Sequence, residues 1–171
     1  VGSEMCIRDR LNAINVSQHQ SLVERVNQSN DLNEIQQIVD EATSLNTVMN
    51  QLQQTINDNE ASTKNSGNYI NAEAQLKRDF DQAITNAQDA VDKANGLNLP
   101  KEQIQQLIDA ISTTKDALNG DQRLNDAKTK ALETLDQLTN INNAQKQLAT
   151  LQINNADTLN LSLIHISEPT R

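Results

Sequence analysis

The chain has 171 residues and a formal net charge of −9, from 14 Lys+Arg set against 23 Asp+Glu. That balance disfavours direct binding to nucleic acid, whose phosphates require neutralisation by Lys and Arg, and no basic patch along the chain offsets it. No apolar stretch approaches the length that crosses a bilayer, so direct membrane insertion of this sequence is not expected.

The two ends differ from everything between them. "VGSEMCIRDR" and "LSLIHISEPTR" hold Cys6, Met5, His165 and Pro169, that is, the single Cys, one of two Met, one of two His and one of two Pro. A back-translation of the first segment, read as its reverse complement, gives Leu161 to Pro169. The nucleotide string resembles the transposase adapter used in sequencing-library preparation. Residues 1–10 and 161–171 are therefore expected to be translated adapter, flanking a window of a longer chain. A secretory signal would need a basic start and an apolar run, and the first segment has neither. Setting aside Arg8, Arg10 and Arg171 with Glu4, Asp9 and Glu168 takes Lys+Arg from 14 to 11 and Asp+Glu from 23 to 20, which leaves the net charge at −9. Residues 11–160 then contain no Cys, which rules out a disulfide framework or a Cys-based zinc site there.

Within that span Asn and Gln make up 42 residues, and the only aromatics are Tyr69 and Phe80. A core must then come from Leu, Ile, Val and Ala, which suits slender helical packing. The amide bias by itself resembles a disordered tract; regular apolar periodicity argues against that.

In chain order, a short helix is expected over about 16–28. Leu32, Ile35, Val39, Ala42, Leu45, Met49, Leu52 and Ile56 then follow at spacings of three and four, one stripe of a long helix. Ser29, Asn30 and Asp31 offer its N-cap, and "NDNEASTKNSGN" (57–68) its breakers. A second stripe runs through Tyr69, Ala72, Leu76, Phe80, Ala83, Ala87, Ala90 or Val91 and Ala94, and is expected to close on Gly96 in the left-handed conformation. Pro100 sits where a first-turn proline is tolerated. Ile104, Leu107, Ile108, Ile111 and Leu118 form a third stripe ending at Asn119-Gly120. Leu124, Ala127, Ala131, Leu135 and Leu138 form a fourth, and a last short helix is expected over about 143–156.

Internal repetition organises these elements. A shift of 127 residues aligns 11–33 with 138–160 and matches Leu11/Leu138, Ile14/Ile141, Asn15/Asn142, Gln18/Gln145, Gln20/Gln147, Asn27/Asn154, Leu32/Leu159 and Asn33/Asn160. A weaker repeat at a shift of 55 pairs Tyr69, Ala72, Phe80, Asp81 and Gln82 with Leu124, Ala127, Leu135, Asp136 and Gln137. Related helical units alternating along a chain read as an array of stacked modules.

The segments "LNTVMNQLQQTI" (45–56), "NYINAEAQLKRDFDQAITNAQDAV" (68–91) and "ALNGDQRLNDAKTKALETLDQLTNINNAQKQL" (117–148) resemble the repeats of the Ebh family of giant staphylococcal extracellular-matrix-binding proteins. The middle part is similar to FIVAR modules, and Asn142 to Lys146 resembles the start of a GA-like, albumin-binding-like module. The likeness covers essentially all of residues 11–160. It implies a fragment of a secreted protein at the cell surface and cell wall of a Gram-positive bacterium, associated with adhesion to matrix proteins such as fibronectin and with envelope integrity. Serum albumin is the partner of GA modules elsewhere. No albumin-contact set matches here residue by residue, and "INVSQHQSL" (14–22) departs from the usual "LNNAQKQ" type.

Candidate chemistry is sparse. His19 replaces Lys146 of the second copy and is expected to be an exposed structural residue. Asp79/Asp81, Asp116/Asp121 and Asp40/Glu41 lack the concave, differently tuned pockets that acid–base work needs. Solvated faces are expected instead, with Asp121 as a first-turn charge. Tyr69 and Phe80, eleven residues apart, are expected in the core rather than in an interface. No catalytic, cofactor-binding or metal site is expected, and no enzyme.

The expected fold is all-α: tandem elongated three-helix bundles forming a rod-like repeat array. Residues 11–44 are the end of a GA-like module lacking its first helix, 45–119 a FIVAR-like three-helix bundle, and 120–160 the truncated start of the next GA-like module. Partners would be adjacent repeats of the same chain and a host matrix protein. The alternatives are a structural rod without a ligand and an albumin-binding GA-type module.

Overall fold

The structure, a computed structural model, describes residues 10–160. The two ends read above as adapter lie outside the described residues, apart from Arg10. Among the described residues there are seven helices and no strand: α1 Val16–Gln28, α2 Leu32–Lys64, α3 Gly67–Ile70, α4 Ala74–Val91, α5 Lys101–Asp116, α6 Gly120–Gln137 and α7 Asn143–Asn155. The chain divides into two compact units. One comprises residues up to Ala61 with Asp79–Asp116, the other Ser62–Arg78 with residues from Ala117 onward.

The first unit is built from α1, most of α2, the greater part of α4, and α5. Its centre is a set of side chains 0 to 1% exposed: Met49 and Leu52 of α2, Phe80, Ile84 and Ala87 of α4, and Ile104 and Ile111 of α5. In α2 the buried stripe runs Ile38, Ala42, Leu45, Val48, Met49, Leu52 and Ile56. Ile38 replaces the neighbouring Ile35 and Val39, and Leu32 lies 84% exposed. Asp31 starts α2, its Oδ1 accepting from Asn33 N at 3.0 Å.

Helix α2 ends at Lys64, inside the 57–68 stretch read as its breakers, but the first part of that stretch stays helical. Its polar side chains bond along the helix rather than to local turns. Gln53 donates to Asn57, Gln54 to Asp58, and Asn59 to the Thr55 carbonyl. Lys115 of α5 and Gln88 of α4 donate to Asn59 and Glu60 at 2.8 Å each. With their polar atoms occupied in this way, these residues lose the competition with the backbone that makes them helix breakers.

Gly96 is not left-handed: no residue among those described has positive φ. Helix α4 stops at Val91, and Asp92 turns the chain by accepting from Ala94 N and Asn95 N at 2.9 Å each. Glycine is needed at 96 for space. A Cβ there would stand 2.5 Å from both Asn15 Nδ2 and the Asp92 carbonyl oxygen.

In the second unit, the stripe expected to run unbroken from Tyr69 is interrupted at residues 71–73. Asn71 is 3% exposed and held from several sides. Its Nδ2 donates to Gly67 O and Asp157 O, its Oδ1 accepts from Leu159 N, and its carbonyl accepts from Arg123. Asn119 Oδ1 accepts from Glu73 N at 3.1 Å, so a side chain distant in sequence caps the approach to α4. Helix α6 begins against α3 so closely that a Cβ on Gly120 would stand 2.1 Å from Asn68 O. Ala131, Leu135 and Ile153 form the buried contact of α6 with α7, flanked by Leu132, Leu138, Ile141 and Ala149.

Candidate functional site

The polar feature that organises the first unit is the N-terminus of α1. Asn15 and Gln18 form a reciprocal capping box: Asn15 Oδ1 accepts from Gln18 N at 2.9 Å, and Gln18 Oε1 accepts from Asn15 N at 3.0 Å. Such a box satisfies two helix-end donors at once. Here it also reaches across the unit. Asn15 Nδ2 donates to Ala90 O (3.2 Å) and Leu97 O (2.9 Å), and Gln18 Nε2 donates to Leu99 O (3.0 Å) and approaches Met49 Sδ at 3.6 Å. The residues are 1% and 0% exposed. Val16 N donates to Lys93 O, and Lys93 Nζ returns to the carbonyls of Asn12 and Ile14. Partial burial lowers the Lys93 ammonium below its ordinary 10.5. Apolar periodicity does not reveal this joint, because its partners are carbonyls distant in sequence; the Asn-x-x-Gln identity in both copies is the signal that marks it.

The second copy forms the same box. Asn142 Oδ1 accepts from Gln145 N and Gln145 Oε1 from Asn142 N, both at 2.9 Å. Both residues face solvent.

Beside the first box, the outer face of α1 forms a shallow groove of about 830 Å³ that includes Ile14, Val16, His19, Val23 and Lys93. His19 is half-buried there, not fully exposed as expected. Its counterpart Lys146 pairs with Asp136 at 2.7 Å.

The other candidates are scattered. Phe80 is fully buried in the first unit, whereas Tyr69 is half-buried in the second, with Lys77 Nζ 5.6 Å from its ring centroid. Asp40 accepts from Gln36, and Glu41 pairs with Arg25 at 2.7 Å across an exposed surface. Asp79 is exposed, Asp81 is half-buried, and Asp116 and Asp121 belong to different units. Asp121 occupies the first turn of α6. Among the described residues no group of three His, Cys, Asp or Glu could hold a metal ion, and no helix is long and apolar enough to cross a membrane.

The comparisons give the class of this all-α chain with its repeated capping box. The GA module family matches residues 9–48 and 121–160, and the FIVAR domain family matches residues 48–119. Residues 9–160 are thus covered almost without a gap by two GA modules and the FIVAR domain between them.

Among its relatives is the extracellular matrix-binding protein EbhA of Staphylococcus aureus. The form in strain Mu3 is 53% identical over 163 residues, and that in strain Newman is 52% identical over 163 residues. The matched region is 95% of this chain but only 2% of the Mu3 relative and 5% of the Newman one. The crystal structure of the 756–1003 domain of EbhA is similar at a TM-score of 0.86 and 29% identity, covering 94% of this chain and 66% of that one. A second S. aureus domain, 3912–4037 of a protein described as similar to streptococcal adhesins, matches at a TM-score of 0.62 and 28% identity, covering 70% of this chain and 92% of that one.

Proposed function

We propose that the chain is a non-enzymatic repeat of a bacterial cell-surface protein that binds a host extracellular matrix protein such as fibronectin weakly and multivalently. The observation that carries this reading is the 53% identity, over nearly the whole chain, to proteins named for matrix binding. Weak sites repeated along one tethered chain gain avidity of about 10²–10⁴ without any new contact. The lack of a deep, enclosed cavity among the described concavities suits a low-affinity surface better than a small-molecule site.

The modular division belongs to the same proposal: 11–44 closes one GA-like module, 45–119 is the FIVAR-like unit, and 120–160 opens the next GA-like module. On this reading the groove on α1 is the seat of a preceding helix equivalent to α6. The second copy supports that, since α6 covers α7 through Ala131 and Leu135, and Asp136 pairs with the residue that corresponds to His19.

The test is direct binding of fibronectin and of serum albumin to the immobilised chain at low and high surface density. Fibronectin capture that strengthens steeply with density is expected. Albumin capture alone would favour the GA-type reading, and no capture at any density a purely structural repeat.

A further inference from the structure

Asn15 and Gln18 are buried because something sits on them: the carbonyls of Ala90, Leu97 and Leu99, from the end of α4 and the α4–α5 loop. Their counterparts Asn142 and Gln145 are the same residue types in the same hydrogen-bonded geometry, yet nothing among the described residues covers them. The neighbouring Ile14 is 5% exposed, and its counterpart Ile141 only half-buried. An N-cap needs only one side-chain acceptor, and the amide donors Nδ2 and Nε2 are superfluous to it. In the first copy those two donors recognise the loop. Their retention in the second copy, where the cap alone would be served by Ser or Asp, marks a preserved docking surface.

We infer that the Asn142–Gln145 box is the seat for the α4–α5 loop of a further copy of this repeat, with Asn142 Nδ2 and Gln145 Nε2 holding the carbonyls equivalent to Ala90, Leu97 and Leu99. The joint is specific to that loop. It requires a glycine at the position of Gly96, where a Cβ would meet both the Asn side chain and the loop's own Asp92 carbonyl at 2.5 Å, and three carbonyls presented together. Each module end would thus verify that a correctly folded FIVAR-type unit follows. The loop of the present chain is already occupied by Asn15 and Gln18, so the partner is a second loop and not its own. This rests on the tandem-repeat reading but not on any matrix ligand.

The test uses an extended chain in which residues 1–160 run directly into a second copy of residues 34–171, the continuation that the 127-residue register dictates. Backbone and side-chain amide exchange of Gln145 is followed by NMR in the single and the extended chain. At least tenfold slower exchange of Gln145 is expected in the extended chain, approaching Gln18. Gly96→Ala placed only in the appended copy is expected to return Gln145 to its single-chain rate. Unchanged Gln145 exchange in the extended chain, or protection that survives Gly96→Ala, overturns the inference. An appended copy that stays unfolded behind an intact box does so as well, because the first copy folds against the equivalent one. Loss of fibronectin binding with Gln145 still protected would overturn the adhesive reading alone.

Discussion

Asn15 and Asn142 cap their helices through the same pair of hydrogen bonds with a glutamine three residues on, but Asn15 is 1% exposed and Asn142 faces solvent. One chain therefore contains both a cap and a cap that is also a tertiary joint. Asn142→Ala removes a cap and is expected to cost about 1 kcal/mol. Asn15→Ala also strands Ala90 O and Leu97 O without that donor, and is expected to cost about 2–4 kcal/mol. Urea melts of the two variants measure the difference. Equal losses would mean that the buried amide bonds contribute nothing beyond the cap.

The glycines form a graded series. A Cβ on Gly67 would meet its nearest neighbour at an ordinary 3.6 Å, on Gly96 at 2.5 Å and on Gly120 at 2.1 Å. Gly67→Ala is expected to be near neutral. Gly96→Ala is expected to lose about 1–3 kcal/mol, and Gly120→Ala about 3 kcal/mol or more, because both meet backbone but the approach at Gly120 is the closer. Thermal melting should rank the three in that order.

The two aromatics separate in the same way. Phe80→Ala empties the centre of the first unit and is expected to cost about 3–5 kcal/mol. Tyr69→Ala removes a half-buried ring and a cation–π contact with Lys77, worth about 0.5–1 kcal/mol where exposed. Its loss should be clearly smaller by the same denaturation assay.

Asp92 supplies a pH dependence. Hydrogen bonds from the backbone and side chain of Asn95, then from Ala94 N, hold its carboxyl below the ordinary 3.8. A carboxylate whose folded-state pKa is depressed stabilises the fold above the unfolded value and loses that contribution as pH falls through the folded value. The contribution is therefore complete above about pH 3.8 and disappears below it. An NMR titration of Asp92 should give a midpoint below 3.8, and Asn95→Ala should move it upward; a midpoint at or above 3.8 in the unmodified chain would contradict the turn geometry.

The helices were legible in the sequence because apolar residues at spacings of three and four have one packing solution: α5 and α6 fall where those stripes place them, and α1 and α7 in the two spans expected as short helices. Composition misled where a side chain's partner is remote. Asn57, Asp58 and Asn59 open the stretch read as breakers, yet bonds along the helix and from α5 carry α2 through them, and it ends only at Lys64 within that stretch. Asn71 read as one polar residue within a continuous helix, yet bonds to residues more than eighty positions away break the helix there. Gly96 read as a left-handed cap, but it is a space requirement set by Asn15 and by the carbonyls of Asp92 and Ala90. Periodicity reports which face of a helix is apolar and carries no information about such long-range amide bonds. The 127-residue repeat did carry part of it, since Asn15/Asn142 and Gln18/Gln145 are among its few identities.

The central claim is adhesion by repetition, and its most direct measurement compares soluble fibronectin binding by the single chain with that of the two-copy chain. Weak binding by the single chain is expected, with an affinity gain in the two-copy chain well beyond the twofold statistical factor, toward the avidity range of about 10²–10⁴. Absence of binding by both chains, with each fully folded, would contradict the claim.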